Sequence, residues 1–176
     1  MAHDPYSYFQ EEDGDEVVYY FTSKDQIMYS VYFRANEYDE HIADFPTLLE
    51  NSYAFGFYHL PPNGGGKFNV DVRIRVTIDT IIQDFVAEKG DNIIILYHCD
   101  HSDGRQHKRS CSFERWYQTS TTKDTIYKTE INFVAHIDEH EEVNYYIGYL
   151  TPLNNPEAAK AHEEFKVFAR GLTIEK

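Results

Sequence analysis

Four consecutive apolar residues, Ile93-Ile94-Ile95-Leu96, run into Tyr97-His98-Cys99 and then into the turn Asp100-His101-Ser102-Asp103-Gly104. A short β-branched run with no polar alternate reads as a strand buried on both faces, which needs helices or loops packed on either side of the sheet. After the turn, Arg105 to Tyr117 has helical spacing and holds the densest cluster of positive charge in the chain. The centre of the molecule is therefore expected to be a strand-to-helix corner, and at the carboxyl end of a central strand such corners often hold ligands.

Around this corner the patterning predicts a mostly antiparallel sheet. Val17 to Thr22 and Ile27 to Phe33 read as a hairpin around Ser23-Lys24-Asp25-Gln26, with Ile27, Tyr29, Val31 and Phe33 on the core face. Tyr53 to Leu60 is a third strand, in which Gly56 marks a bulge or a close backbone approach. Pro61-Pro62-Asn63-Gly64-Gly65-Gly66 is a loop without the spacing of a phosphate-binding P-loop. Ile126 to Ile137 and Val143 to Leu150 form a second hairpin.

Three helices follow from spacing and caps. Asp71 caps a helix to Lys89 with Ile74, Ile78, Ile81, Ile82 and Phe85 on one stripe, and Gly90 ends it. Arg73 and Arg75 oppose the dipole of that helix and are expected to pair with surface carboxylates. A second helix, 103–118, is capped by Ser102 or Asp103, and places Gln106, Arg109, Phe113 and Trp116 on one stripe facing the core. The third, 156–170, opens at Asn155-Pro156 and closes at Gly171. A short helix around Thr47 to Glu50 is compatible with Pro46. Met1 to Glu16, rich in Glu and Asp, is expected to be a frayed acidic tail, leaving 17–176 as one domain.

Charge narrows the classes of function. With 16 Lys and Arg against 30 Asp and Glu the formal net charge is −14, so the field over most of the surface repels nucleic acid. Two cysteines in no CxxC arrangement make no disulfide framework, and no signal peptide, lipidation motif or membrane-length apolar run is visible. The expectation is a cytoplasmic protein with no membrane partner.

Candidate chemistry concentrates at the corner. His136-Ile137-Asp138-Glu139-His140 has the letters of a zinc-peptidase motif but falls in a hairpin turn, where the two imidazoles share no face. His98, Cys99, Asp100, His101, Asp103 and His107 match neither a zinc nor a calcium spacing, so no metal is expected. A carboxylate beside Cys99 disfavours its thiolate and argues against an activated nucleophile. Asp100, Asp103, Gly104, Arg105, Gln106 and Arg109 remain. Two readings stay open: an internal Asp–Arg lock fixing the helix to the sheet, or a site for an anionic small molecule or a protein partner's carboxylate, built on the helix start and its guanidinium groups. They are compatible if the lock presents Arg105 outward.

The run Cys99-Asp100-His101-Ser102-Asp103-Gly104-Arg105-Gln106, followed by Arg109, Phe113, Arg115 and Trp116, resembles a domain-of-unknown-function family of Bacteroidota with a Cys-Asp-x-x-Asp-Gly-Arg-Gln signature. The likeness covers about residues 17 to 150 and departs at Asp71-Val72-Arg73, where members tend to have Asp-Pro-Arg. It implies no activity or cofactor. The order of elements, three strands, helix, strand, helix, two strands, is also similar to acyl-CoA-dependent N-acetyltransferases. That family's pyrophosphate loop corresponds here to Gly64 to Arg75, but its Arg/Gln-x-x-Gly-x-Gly/Ala pattern is absent.

Together these features predict an α+β fold with a mixed, mostly antiparallel sheet of about six or seven strands flanked by three helices. The function expected first is a binding or regulatory module at the Asp100–Arg109 corner. A divergent acyl-CoA-dependent N-acyltransferase is the alternative, and a structural or toxin–antitoxin-type interaction protein the third. Cofactor, oligomeric state and enzymatic status are not legible in these residues.

Overall fold

The computed structural model describes residues 3–60, 71–136 and 141–172. The expected α+β class is present: seven strands form one sheet in the order β1-β2-β3-β4-β5-β7-β6. The strands are β1 Tyr8–Asp13, β2 Glu16–Thr22, β3 Met28–Ala35, β4 Ser52–Leu60, β5 Ile94–His98, β6 Ile126–His136 and β7 Glu142–Pro152. The helices are α1 Asp39–Ile42, α2 Pro46–Asn51, α3 Val72–Lys89, α4 Gln106–Thr119 and α5 Ala158–Gly171. All strand pairs are antiparallel except β4 and β5, which α3 connects as a crossover.

The apolar run at β5 has the expected cause. Ile93, Ile95 and Tyr97 point into the core beneath α3 and α4, while Ile94 and Leu96 point into a second core with α1, α2 and α5. On α3, Ile78, Ile81, Ile82 and Phe85 are each at most 1% exposed, and Phe85 stacks on Phe33 with ring centroids 3.7 Å apart. Gly56 is a close approach, since a Cβ there would run into the ring and hydroxyl of Tyr32.

β4 and β5 pair only at Ser52, Tyr53 and Ala54, opposite Ile94, Ile95 and Leu96. Beyond that point β4 stays with β3 and β5 with β7, so the two strands part. Aromatic rings meet over the gap: Phe113 lies over Phe55 and against Tyr97, and Trp116 lies over Phe57. Arg75 Nη1 donates to Thr119 Oγ1 at 3.0 Å and Gln83 Nε2 to Thr122 Oγ1 at 2.9 Å, tying α3 to the end of α4.

Several expectations are corrected. Residues 8–13 form a strand rather than a frayed tail, because an edge strand pairs its backbone with β2 while Glu11, Glu12 and Asp13 stay in solvent. Helix α4 begins at Gln106, not at 103: Asp103 Oδ1 accepts from Arg105 N at 3.1 Å, and Gly104 takes a positive φ of 70°, so the chain turns once more before the helix starts. Helix α5 likewise begins at Ala158, after Asn155 Oδ1 has accepted from Glu157 N. Arg73 and Arg75 form no ion pair with a carboxylate among the described residues. Arg73 donates to the Asp4 and Pro5 carbonyls and lies over the Tyr6 ring, and Arg75 is held by Thr119. The glycine loop 61–70 and most of the His136–His140 motif lie outside the described residues.

Candidate functional site

The corner is built from the end of β5. Asp100 folds back on the turn, accepting from Ser102 N at 2.9 Å and Ser102 Oγ at 2.8 Å, and these donors hold its carboxyl below the usual carboxylate range. Asp103 receives a two-pronged contact from Arg109, Nη1 to Oδ1 at 2.6 Å and Nη2 to Oδ2 at 2.8 Å. Arg109 Nη1 also donates to the Asp100 carbonyl at 2.8 Å. The hydrogen bonds from Arg109 hold Asp103 well below the usual carboxylate range, and those same bonds raise the guanidinium of Arg109. Such forked contacts are rigid.

The lock therefore exists, and it divides the six corner residues. Asp100, Asp103, Gly104 and Arg109 are structural parts of it. Gln106 sits half-buried beneath, its Oε1 without a partner among the described residues. Arg105 is outside: its backbone N–H joins the lock, while its exposed side chain makes no ion pair or hydrogen bond among the described residues. Arg109, expected to face the core, is instead about two-fifths exposed, because Asp103 draws it outward.

Two further cations stand on α4: Lys108, which no motif marks, and Arg115, which the sequence offers only as part of the family resemblance. Lys108 and Arg115 are exposed, and neither side chain pairs with a carboxylate among the described residues. With Arg105 they stand at helical spacings of three, seven and ten, one outward stripe. That spacing was readable once α4 was recognised. On the flank of the helix, His107 Nδ1 meets Tyr146 Oη at 2.9 Å, and Cys111 Sγ meets His107 Nε2 at 3.6 Å.

Behind that flank lies an open depression of about 560 Å³ lined by Ser110, Cys111, Glu114, Arg115, Lys128 and Glu130. Glu130 accepts from Tyr97 Oη at 2.9 Å and from Ser110 Oγ. Burial, and then the charge of Glu130, hold the Tyr97 hydroxyl far above its ordinary value. Lys128, its side chain 3% exposed, is paired with Glu114 at 2.6 Å. Cys99 is buried, and burial pushes its thiol up to about 12, with Glu130 as the neighbouring carboxylate rather than Asp100. Burial and the neighbouring carboxylate both disfavour the Cys99 thiolate.

Among the described residues no group of three or more His, Cys, Asp or Glu side chains is arranged to hold a metal, and no helix is long and apolar enough to cross a membrane. No curated protein and no solved structure matches the chain. One family model does, over residues 70–166, a stretch that holds α3, β5, the corner, α4 and the β6–β7 hairpin. The match covers more than half of the chain, and the protein belongs to the Family of unknown function (DUF6169).

Proposed function

We propose that the protein is a cytoplasmic binding module that seats an acidic segment of a protein partner along the outer face of α4. The observation that carries this reading is the stripe Arg105, Lys108 and Arg115, three exposed cations with no carboxylate partner among the described residues of a chain whose net charge is −14. In such a field an unpaired cation is normally drawn to one of the surrounding carboxylates. Here Asp103, whose carboxylate the charge of Arg105 also reaches, is occupied by the forked contact from Arg109, so the lock leaves the Arg105 side chain without an ion pair of its own among the described residues. From Arg105 to Arg115 the stripe runs about 15 Å along the helix, a length that suits an extended acidic peptide better than a small anion. The excess of surface carboxylates opposes any polyanion, and opposes a nucleic acid, charged at every phosphate, more than a short acidic segment seated on the stripe. Two free thiols suit a reducing compartment. The Cys99-Asp100-x-x-Asp103-Gly104-Arg105-Gln106 run, inside the family-matched stretch, is read as the signature that builds this support.

The test is fluorescence anisotropy with a labelled Glu-rich peptide. The wild-type protein binds it with an affinity that falls as salt rises. Replacing Arg105, Lys108 and Arg115 together by Ala abolishes binding while the circular dichroism spectrum is unchanged. Equal binding by the triple variant overturns the reading, and tighter binding of a single-stranded oligonucleotide than of the peptide overturns the choice of partner.

One observation favours a second reading, a divergent acyl-CoA-dependent acyltransferase: the parallel pair β4–β5 that opens after three registers. Two observations weigh against it. Phe55, Phe57, Phe113 and Trp116 lie over the opening, and the start of α3 is closed by its own anion, with Asp71 accepting from Arg73 N at 2.9 Å and from Tyr6 Oη at 2.5 Å. Acetyl-CoA at a hundred times its dissociation constant would add about 2.7 kcal/mol of stability, which a thermal shift detects. No shift is expected.

A further inference from the structure

Cys111 and His107 stand one turn apart on α4, and their side chains meet, Sγ to Nε2 at 3.6 Å. The other ring nitrogen of His107 is held by a residue from a different element, Tyr146 of β7, at 2.9 Å. Once Nδ1–H is donated to the Tyr146 oxygen, Nε2 is left as the acceptor for the thiol proton. Nucleophile, base and a third group that orients the base form the arrangement by which thiols and hydroxyls are activated. It does not rest on the thiol alone. Cys111 is exposed and opens on the depression floored by Lys128 and Glu130, and Arg115, one turn further along α4, lines the same space. Cys99 is buried and makes no hydrogen bond to an imidazole among the described residues.

The geometry points to Cys111 as a nucleophile that takes an acyl group from an activated ester or thioester, with His107 as its base and Tyr146 as a positioning residue. The Cys111 thiol proton passes to His107 Nε2 as Sγ bonds to the carbonyl carbon. The bond from that carbon to the leaving oxygen or sulfur then breaks, and the leaving group takes the proton from His107. The product is an S-acyl Cys111 and a free alcohol or thiol. In the return step water or an amine gives its proton to His107 and attacks the thioester, and the Cys111 sulfur leaves and is reprotonated. Arg115 supplies positive charge beside the carbonyl oxygen as it becomes an oxyanion. The Cys111–His107–Tyr146 arrangement stands apart from the acidic-partner reading, since none of the three belongs to the stripe; Arg115 alone is shared by both.

The probe is p-nitrophenyl acetate, with the acetylated residue located by peptide mass. The expected result is a burst of p-nitrophenolate and one hydroxylamine-sensitive acetyl group on Cys111, none on Cys99, and no burst in Cys111→Ser. His107→Gln slows acylation of Cys111 by about a hundredfold. Tyr146→Phe slows it less and shifts its pH–rate profile, because the imidazole loses the oxygen that fixes its tautomer. All these variants lie on exposed or half-buried positions, and an unchanged urea midpoint verifies the fold. The proposal is overturned if Cys111 in the folded protein is acetylated no faster than in the urea-unfolded chain, or if His107→Gln leaves the rate unchanged.

Discussion

Helices α3 and α4 lie on the same face of the sheet, yet they finish their starts in opposite ways. On α3 the cap is a side chain, Asp71, and the basic residue beside it, Arg73, is used up on the carbonyls of Asp4 and Pro5 and the ring of Tyr6. On α4 the N-cap position, Arg105, offers no side-chain cap, and the carboxylate that serves the start, Asp103, sits two residues earlier and is held by Arg109. Depth differs too: α3 buries a full stripe from Thr77 to Phe85, whereas Ser110 is the only α4 residue that is buried. One helix is spent on the fold. The other is anchored just enough to hold a charged face and a thiol in solvent.

The contrast predicts, first, unequal costs in the core. Phe85→Ala, which removes a ring stacked on Phe33, should cost about 3–5 kcal/mol. Phe113→Ala, half-buried over Phe55, should cost about 1–2 kcal/mol. Urea denaturation of the two variants measures this, and equal costs would break the distinction between the helices.

A smaller effect lies where α3 meets the end of α4. Burial pushes the Asp79 carboxyl up to about 6, against weaker opposing effects from the Ser120 hydroxyl and Arg75. An unfolded Asp titrates near 3.8, so between about pH 4 and 6 the native state holds the extra proton. Stability from this site is therefore fully present below the unfolded value and falls as pH rises through the folded one. Asp79→Asn should stabilise the protein at pH 7 by about 2 kcal/mol and hardly at all at pH 4. Urea midpoints at the two pH values give the comparison.

The smallest change in stability, and the sharpest in binding, belongs to the lock. Asp103→Asn removes a carboxylate about two-fifths exposed and frees the guanidinium of Arg109. The fold should persist, and the Glu-rich peptide should bind several-fold more tightly than to wild type. Weaker binding would mean that the lock orients Arg105 rather than merely sparing it.

How far the residues announced these features depends on how local the features are. The α3 stripe, the two-sided apolar run at β5 and the hairpin β2–β3 rest on neighbours two to four positions apart, and all are where patterning put them. The Asp103–Arg109 contact spans six residues and was one of two open readings. What was missed is either weakly patterned or distant. β1 carries carboxylates that a core would reject but an edge tolerates, so composition spoke for a tail. The stripe on α4 lies inside a visible cluster of positive charge, but spacing alone does not say which of those cations stay without a carboxylate. The imidazole of His107 is completed by Tyr146, 39 residues away, a meeting that only the pairing of β5 with β7 brings about.

The outer margin of the sheet has its own consequence. β1 ends in Glu11, Glu12 and Asp13, all in solvent beside a backbone that has, among the described residues, no strand on its far side. A second copy approaching margin to margin would set like charges against each other, so strand-by-strand stacking into fibrils is resisted at neutral pH and loses that resistance once the carboxylates are neutralised by acid.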